Sequence, residues 1–247
     1  MATATRTRNL FDPASKEPYK LSRTKLEMFL GCPRCFYLDR RSGIGRPSTP
    51  PYTLNIAVDA LMKREFDFHR ARKEPHALMK EFGIDAVPFS HPKLDEWREN
   101  FHGMQALHEP TNFLFFGAVD DVWEGPEGSL HIVDYKATST PNEISLEDEW
   151  KQAYKRQMEI YQWLFRRNAF PVSDIGYFVF VNGDKELDHF GGKLEFSMQI
   201  LPYTADDGWV EEALMEAHAC LCRDLPPAAA SGCEWCGYRK AARGVES

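Results

Sequence analysis

Gly117-Ala118-Val119-Asp120, followed by Ile132-Val133-Asp134-Tyr135-Lys136, is the stretch on which the reading of this chain turns. Asn112 to Trp123 and Leu130 to Ala137 are rich in Phe, Val and Ile, with Gly-Pro-Glu-Gly-Ser at 125–129 between them. The pattern predicts a strand, a turn and a strand, paired as a hairpin. Side chains alternate along a strand, so Asp134 and Lys136 share one face and Tyr135 takes the other. A neighbouring hairpin strand brings Asp120 beside Asp134. Two carboxylates and an ammonium at the ends of apolar strands are costly to bury without purpose. Mg²⁺ or Mn²⁺, which prefer hard oxygen ligands and keep water, would offset that cost. Lys136 is then suited to orient an attacking water and balance charge on a phosphate.

Working outward, Glu147 to Asn168 predicts a long helix with Tyr154, Met158, Tyr161 and Phe165 toward the core. Gln157 and Tyr161 lie one turn apart on one face of it. That face, on a helix carrying Lys151, Lys155, Arg156, Arg166 and Arg167, suits a phosphodiester backbone. Ile175 to Val181 is a continuous apolar run typical of a buried strand, and Lys193 to Leu201 alternates like a half-exposed one. Leu54 to Arg72 predicts a helix with Leu54, Val58, Leu61 and Glu65 on one face. A weaker helix follows Pro92 through Leu94, Trp97 and Phe101. Ser22 is placed to cap a helix bearing Leu26, Phe29 and Leu30, which runs into Cys32-Pro33-Arg34-Cys35. Gly43 to Pro51 is a connector. Trp209 to Arg223 is an amphipathic helix, and Cys233-Glu234-Trp235-Cys236 follows a Pro/Ala linker. The segment 1–20 lacks periodicity and reads as a flexible basic tail, leaving 21–247 as one domain.

The 247 residues are 43% hydrophobic, 27% charged and 13% aromatic, ordinary for a globular α/β protein with a sizeable core. No apolar run reaches the ~18 residues of a membrane span. The opening segment lacks the apolar stretch of a secretory signal, and the expected location is cytoplasmic. A net charge of −7 argues against indiscriminate coating of nucleic acid, yet Met1 to Pro47 holds ten Lys/Arg against four Asp/Glu. A basic end and a basic helix on an acidic body can track phosphates while the body binds something else, such as divalent metal, but on charge alone a solvated charged face is the preferred reading.

Gly-x-x-Asp120, Val-Asp134-Tyr-Lys136 and Gln157-x-x-x-Tyr161, in that order, resemble the PD-(D/E)xK nuclease superfamily. The pattern is most similar to its RecB-like branch, with AddB nuclease domains and CRISPR-associated exonucleases. The resemblance covers Ser22 to Tyr238. It implies a restriction-endonuclease-like core, a central mixed sheet flanked by helices, with metal held by Asp120, Asp134 and the Tyr135 carbonyl. Lys136 would be catalytic, and Gln157 and Tyr161 would complete the active site or guide DNA. RecB-like enzymes often carry Gly-x-x-x-His in the helix before the sheet, the histidine being a further ligand. Here that stretch reads Asn55-Ile-Ala-Val-Asp59, so Asp59 is the candidate in its place, with Glu65 second; the alternative for Asp59 is a solvated helix residue.

Two Cys-x-x-Cys pairs at opposite ends of the chain, Cys32/Cys35 and Cys233/Cys236, predict a four-thiolate site, which zinc and iron–sulfur clusters both accept. It would join 22–40 to 228–243 as a cap. Ser22-x-x-x-Leu26-x-x-Phe29-x-x-Cys32-Pro33 and Cys233-x-x-Cys236-x-Tyr238 resemble segments of iron–sulfur nucleases in the RecB-like group. Those proteins usually have one early and three late cysteines, whereas this chain has two and two. A [4Fe–4S] cluster is the favoured occupant and structural Zn²⁺ the alternative. Cys220 and Cys222 read as buried or partly buried structural cysteines, His102 and His108 as surface or core histidines, and Trp235 as packing beside the cysteines.

The leading expectation is a metal-dependent DNA nuclease, an exonuclease acting on single strands or duplex ends, with any helicase or recombination partner a separate protein. The alternative is a non-cleaving nucleic-acid-binding subunit. A zinc-stapled adaptor leaves the carboxylate–lysine strand unexplained.

Overall fold

The computed structural model describes residues 6–246. In chain order its elements begin with β1 (Tyr19–Ser22), α1 (Arg23–Gly31), α2 (Pro33–Arg40), α3 (Thr53–Arg72), α4 (Ala77–Glu81), β2 (Val87–Pro88) and α5 (Leu94–Arg98). They continue with β3 (Met104–His108), β4 (Phe113–Gly117), β5 (Asp121–Glu124), β6 (Leu130–Thr138), a 3₁₀ turn at Glu149–Lys151 and α6 (Gln152–Arg167). The last four are β7 (Ile175–Gly183), β8 (Phe196–Thr204), α7 (Val210–Leu221) and α8 (Glu234–Glu246). No helix among the described residues is long and apolar enough to cross a membrane. The chain divides into two units: one from 1–50, 105–116 and 208–247, the other from 51–104 and 117–207.

The second unit is built on a mixed five-stranded sheet ordered β2-β5-β6-β7-β8. All neighbours are antiparallel except β6 and β7, which run parallel with Asp134 opposite Phe178 and Lys136 opposite Phe180. A parallel pair needs a crossover, and α6 supplies it. The alternation of β6 and β7 sorts the layers. Val133, Tyr135, Val179 and Val181 pack with Met62 and Phe66 of α3 and Leu78 and Met79 of α4. The opposite parity faces α6: a Cβ on Gly176 would sit 2.4 Å from the Met158 sulfur and 3.1 Å from the Ile132 carbonyl oxygen, so a larger residue there would have to push Met158 aside. Gly103, at φ +64° and with its Cβ position 2.4 Å from the Gly117 carbonyl oxygen, is required for a similar close approach before β5.

The first unit contains a small sheet ordered β1-β4-β3, with β1 parallel to β4, and helices α1, α2, α7 and α8. Residues 1–5 of the expected basic tail lie outside the described residues. Farther along it, Phe11 is buried against Phe113 and His218, and its N–H donates to the Arg40 carbonyl. Both segments expected to carry the thiolate site fall in this unit.

Several local expectations are corrected. The apolar run 112–123 is not one strand: it breaks at Ala118–Asp120 into β4 and β5, which belong to different sheets. Only β5 forms the hairpin with β6. Helix α3 buries Met62, Phe66 and Arg70, whereas Leu54 and Leu61 are exposed; the stripe that meets the sheet is offset from the one its leucines suggest. Ser22 precedes α1 but makes no side-chain capping bond. The last strand of the sheet runs to Thr204 rather than ending at Leu201.

Candidate active site

Strand β6 outruns its partner β5: Val133 is the last residue paired with it, while pairing with β7 continues to Thr138. The backbone of the overhang on the β5 side therefore needs other partners. The Tyr135 N–H donates to Asp120 Oδ2 at 3.0 Å, and the Ala137 carbonyl accepts from Asn55 at 3.1 Å. The N–H and C=O of one strand residue leave on the same side, so the Tyr135 carbonyl opens on the edge where Asp120 sits.

Asp59 and Asp120 are joined by a cation that the sequence pattern did not single out. Lys63 Nζ lies 2.8 Å from Asp59 Oδ2 and 3.1 Å from Asp120 Oδ1. Burial, with Asp120 nearby, raises the Asp59 carboxyl above its ordinary value. Burial works against the Lys63 charge, but Asp120 and Asp59 outweigh it and hold the ammonium above its usual range. The i, i+4 spacing of Asp59 and Lys63 was the available signal. Glu65 is directed elsewhere, its carboxylate 2.8 Å from His76 Nε2.

On the α6 face of β6, Asp134 is fully buried and ion-paired with Lys136. Gln157 closes the network, donating from Nε2 to Asp134 Oδ1 at 2.6 Å and accepting from Lys136 at 3.4 Å. The same amide nitrogen lies 3.2 Å from the Tyr161 hydroxyl. Lys136 Nζ also sits 4.4 Å from the centre of the Tyr154 ring. Burial disfavours the Lys136 charge, yet Asp134 and then Asp120 hold its pKa above the usual value.

The Asp120-Asp121 doublet splits by direction. Asp121 is fully buried, accepting from the Tyr135 hydroxyl at 2.6 Å and paired with Arg70 and Arg98. Arg98 also donates to the Asp120 carbonyl at 3.0 Å. Tyr135 thus sends its side chain into the α3 layer while its backbone holds Asp120.

The donor set fits a hard divalent cation. Asp59 and Asp120 already bracket a positive charge, and a carbonyl oxygen faces the same edge. Among the described residues, however, only the four cysteines bring three or more potential ligand atoms within 4.8 Å of one another. As a set of three, the Asp59, Asp120 and Asp134 carboxylates do not meet that spacing; Asp59 and Asp120 face Lys63, and Asp134 faces Lys136.

Cys32 and Cys233 each immediately precede a helix, α2 and α8, and Cys35 and Cys236 lie in the first turns. Helix N-termini favour thiolate. Sγ separations are 3.9 Å for Cys32–Cys236 and 3.7 Å for Cys35–Cys233 and Cys35–Cys236. Burial raises the Cys32 thiol, but hydrogen bonds from the Ala230 and Cys35 backbones outweigh it and push the pKa down to about 6. Cys236 is pushed up to about 12, by burial first and then by the neighbouring thiols. Cys220 is buried with Sγ 3.7 Å from the Pro33 carbonyl, whereas Cys222 is exposed, contrary to its expected burial. His108 is a core histidine between Thr111 and Glu211, and His102 a surface one paired with Glu99.

The model of the PD-(D/E)XK nuclease superfamily matches residues 54–241, about three quarters of the chain. The match spans every carboxylate, lysine, glutamine and tyrosine described above, together with the later cysteine pair. No curated protein matches the chain.

Proposed function

Because the chain belongs to the PD-(D/E)XK nuclease superfamily, we propose that it is a Mg²⁺- or Mn²⁺-dependent DNA nuclease of the RecB-like branch, an exonuclease acting on single strands or duplex ends. The observation that carries this reading is the Asp134–Lys136–Gln157 network on one face of β6, with Asp120 pinned to the same strand by the Tyr135 N–H.

Asp120, Asp134, the Tyr135 carbonyl and Asp59 would hold the divalent cation, which supplies positive charge against the phosphate and eases ionisation of water. Lys136 keeps its ammonium at the phosphate, steered by Asp134 from one side and Gln157 from another. Gln157 fixes both partners with one amide, and Tyr161 orients that amide from the next turn of α6. A cavity of about 250 Å³ in the other unit is lined by Arg34, Arg239, Lys240 and Arg243 beside Cys236, a charge pattern suited to a nucleic-acid backbone.

For the thiolate site the sulfur separations turn the preference from [4Fe–4S] to one tetrahedral ion. A Zn²⁺ with Zn–S of ~2.3 Å sets its sulfurs ~3.8 Å apart. A four-iron cubane gives each thiolate its own iron at a separate corner and spreads them wider. The two-and-two distribution of cysteines supports the same choice.

The test is cleavage of end-labelled single- and double-stranded DNA with Mg²⁺, Mn²⁺ or EDTA, alongside Lys136→Ala. Metal-dependent cleavage lost by about 100-fold or more in the variant is the expected result. Undiminished cleavage by a folded Lys136→Ala would refute the assignment. DNA binding without cleavage by the parent would favour a non-cleaving subunit.

A further inference from the structure

A cavity of about 320 Å³ opens beside Lys136 and shares only Lys136 with the Asp134–Lys136–Gln157 network. Its volume lies within the ~300–1,000 Å³ of small-ligand sites, enough for one nucleoside and too small for a duplex. Three of its walls are aromatic: Trp150, Tyr154 and Phe180. Trp150 is 61% exposed at the wall of this cavity, with the Lys151 ammonium 4.9 Å from its ring centre, so a base has an exposed part of the ring left to stack on. It meets Tyr154 edge-on at 5.5 Å, and Tyr154 in turn lies under the Lys136 ammonium.

The charges of the lining decide what the cavity suits. Lys136 is paired with Asp134 and Lys151 is 2.8 Å from Asp148, while Glu143 adds a further carboxylate to the lining. A phosphate gains little from walls whose charges cancel. A planar, neutral ligand with hydrogen-bonding edges gains from an exposed indole and from the polar Thr138 and Asn142. A nucleobase has that chemistry, and base–aromatic stacking is tolerant of sequence.

We infer that this cavity receives the unpaired base next to the scissile phosphate, with Trp150 as its stacking platform, so that the substrate must present an unstacked nucleotide at Lys136. The inference rests on the nuclease reading and narrows it, from DNA in general to single strands or frayed ends. A base held in a duplex is already paired and stacked on its neighbours and cannot enter.

The test is binding, so that it does not depend on turnover. Fluorescence anisotropy with Ca²⁺ in place of Mg²⁺ would compare a labelled single strand, an abasic strand of equal length and charge, and a blunt hairpin duplex. The expected result is that the parent binds the base-bearing strand roughly 5- to 100-fold more tightly than the other two. Trp150→Ala should bring the base-bearing strand to the abasic level while leaving the abasic strand unchanged, and Trp150→Phe should retain most of the difference. Binding of all three probes alike by the parent, or equal losses on all three in Trp150→Ala, would overturn the base pocket and leave the nuclease reading standing. Failure of the folded parent to bind any probe would overturn both.

Discussion

The backbone N–H of Tyr135 donates to Oδ2 of Asp120 at 3.0 Å, tying the loop before β5 to the strand that carries Asp134 and Lys136. One carboxylate oxygen is thus spent on the fold while the other faces Lys63, which also pairs with Asp59. The two roles separate by substitution. Asp120→Asn keeps an acceptor for the Tyr135 N–H and removes the charge. It should lose Mn²⁺ binding and cleavage with a melting temperature within a few degrees of the parent. Asp120→Ala should in addition cost about 1–3 kcal/mol in denaturant unfolding, because the N–H is left without its partner. Equal stability of the two variants would show that the hydrogen bond does not hold the loop.

Asp121, the adjacent residue, should behave in the opposite way. It is fully buried between Arg70 and Arg98 and accepts from the Tyr135 hydroxyl. Asp121→Ala leaves Arg70 and Arg98 with Asp67 as their one shared counter-charge and empties the buried end of the network, which should cost about 3–5 kcal/mol. Tyr135→Phe removes one hydrogen bond to a charged group and should cost about 1.5–3 kcal/mol. Urea unfolding of both variants checks the order; a stable Asp121→Ala would mean that the arginines find water instead.

These two aspartates mark how far the sequence could be read. Alternation alone places Asp134 and Lys136 on one face of β6 and Tyr135 on the other, and that is the arrangement found, because strand geometry is local. The turn at 125–129 likewise marks the hairpin. The break of the run from Asn112 to Trp123 at Ala118–Asp120 is marked in the sequence by Gly117 and the Asp120-Asp121 doublet, but neither says that the two halves join different sheets. The break follows from long-range pairing, with Phe113–Gly117 beside β1 and Asp121–Glu124 beside β6. The core face of α3 was hidden for a related reason: Leu54 and Leu61 fit the helical period as well as Met62 and Phe66 do, and only the sheet chooses between the stripes. Lys63 was overlooked because a lysine one turn from an aspartate is ordinary on a solvated helix.

The thiolate site gives a prediction that separates the metal from the nuclease chemistry. All four sulfurs lie within 4.8 Å of one another. Cys233→Ser should remove close to one equivalent of zinc by elemental analysis, with no visible iron–sulfur absorption in either protein. The unfolding midpoint should fall, since a structural zinc site contributes folding free energy. Stoichiometric iron and sulfide in anaerobically purified parent would overturn the zinc assignment and restore the cluster.

Acid sensitivity should come from Asp39 at the end of α2. It is 2% exposed and sits 2.7 Å from Arg40 Nε, 2.8 Å from Lys25 Nζ and 3.2 Å from Arg6 Nη1. Burial raises its carboxyl, but hydrogen bonds from Arg40 and Lys25 outweigh burial and hold the pKa below the ordinary 3.8. The unfolded chain therefore binds the proton more readily than the folded one, and stability rises with pH through this window. Its contribution is complete above 3.8 and drains away as pH falls through the depressed folded value. Asp39→Asn removes the charge that Arg40 and Lys25 face, and should cost about 3–5 kcal/mol at pH 7. The gap from the parent should begin to close as the pH falls below 3.8, where the unfolded chain takes up the proton first, and should close fully only below the depressed folded value, where the folded carboxyl is neutral as well. Unfolding curves for parent and variant between pH 7 and 2.5 check this, and a gap independent of pH would assign the loss to packing rather than to the charge.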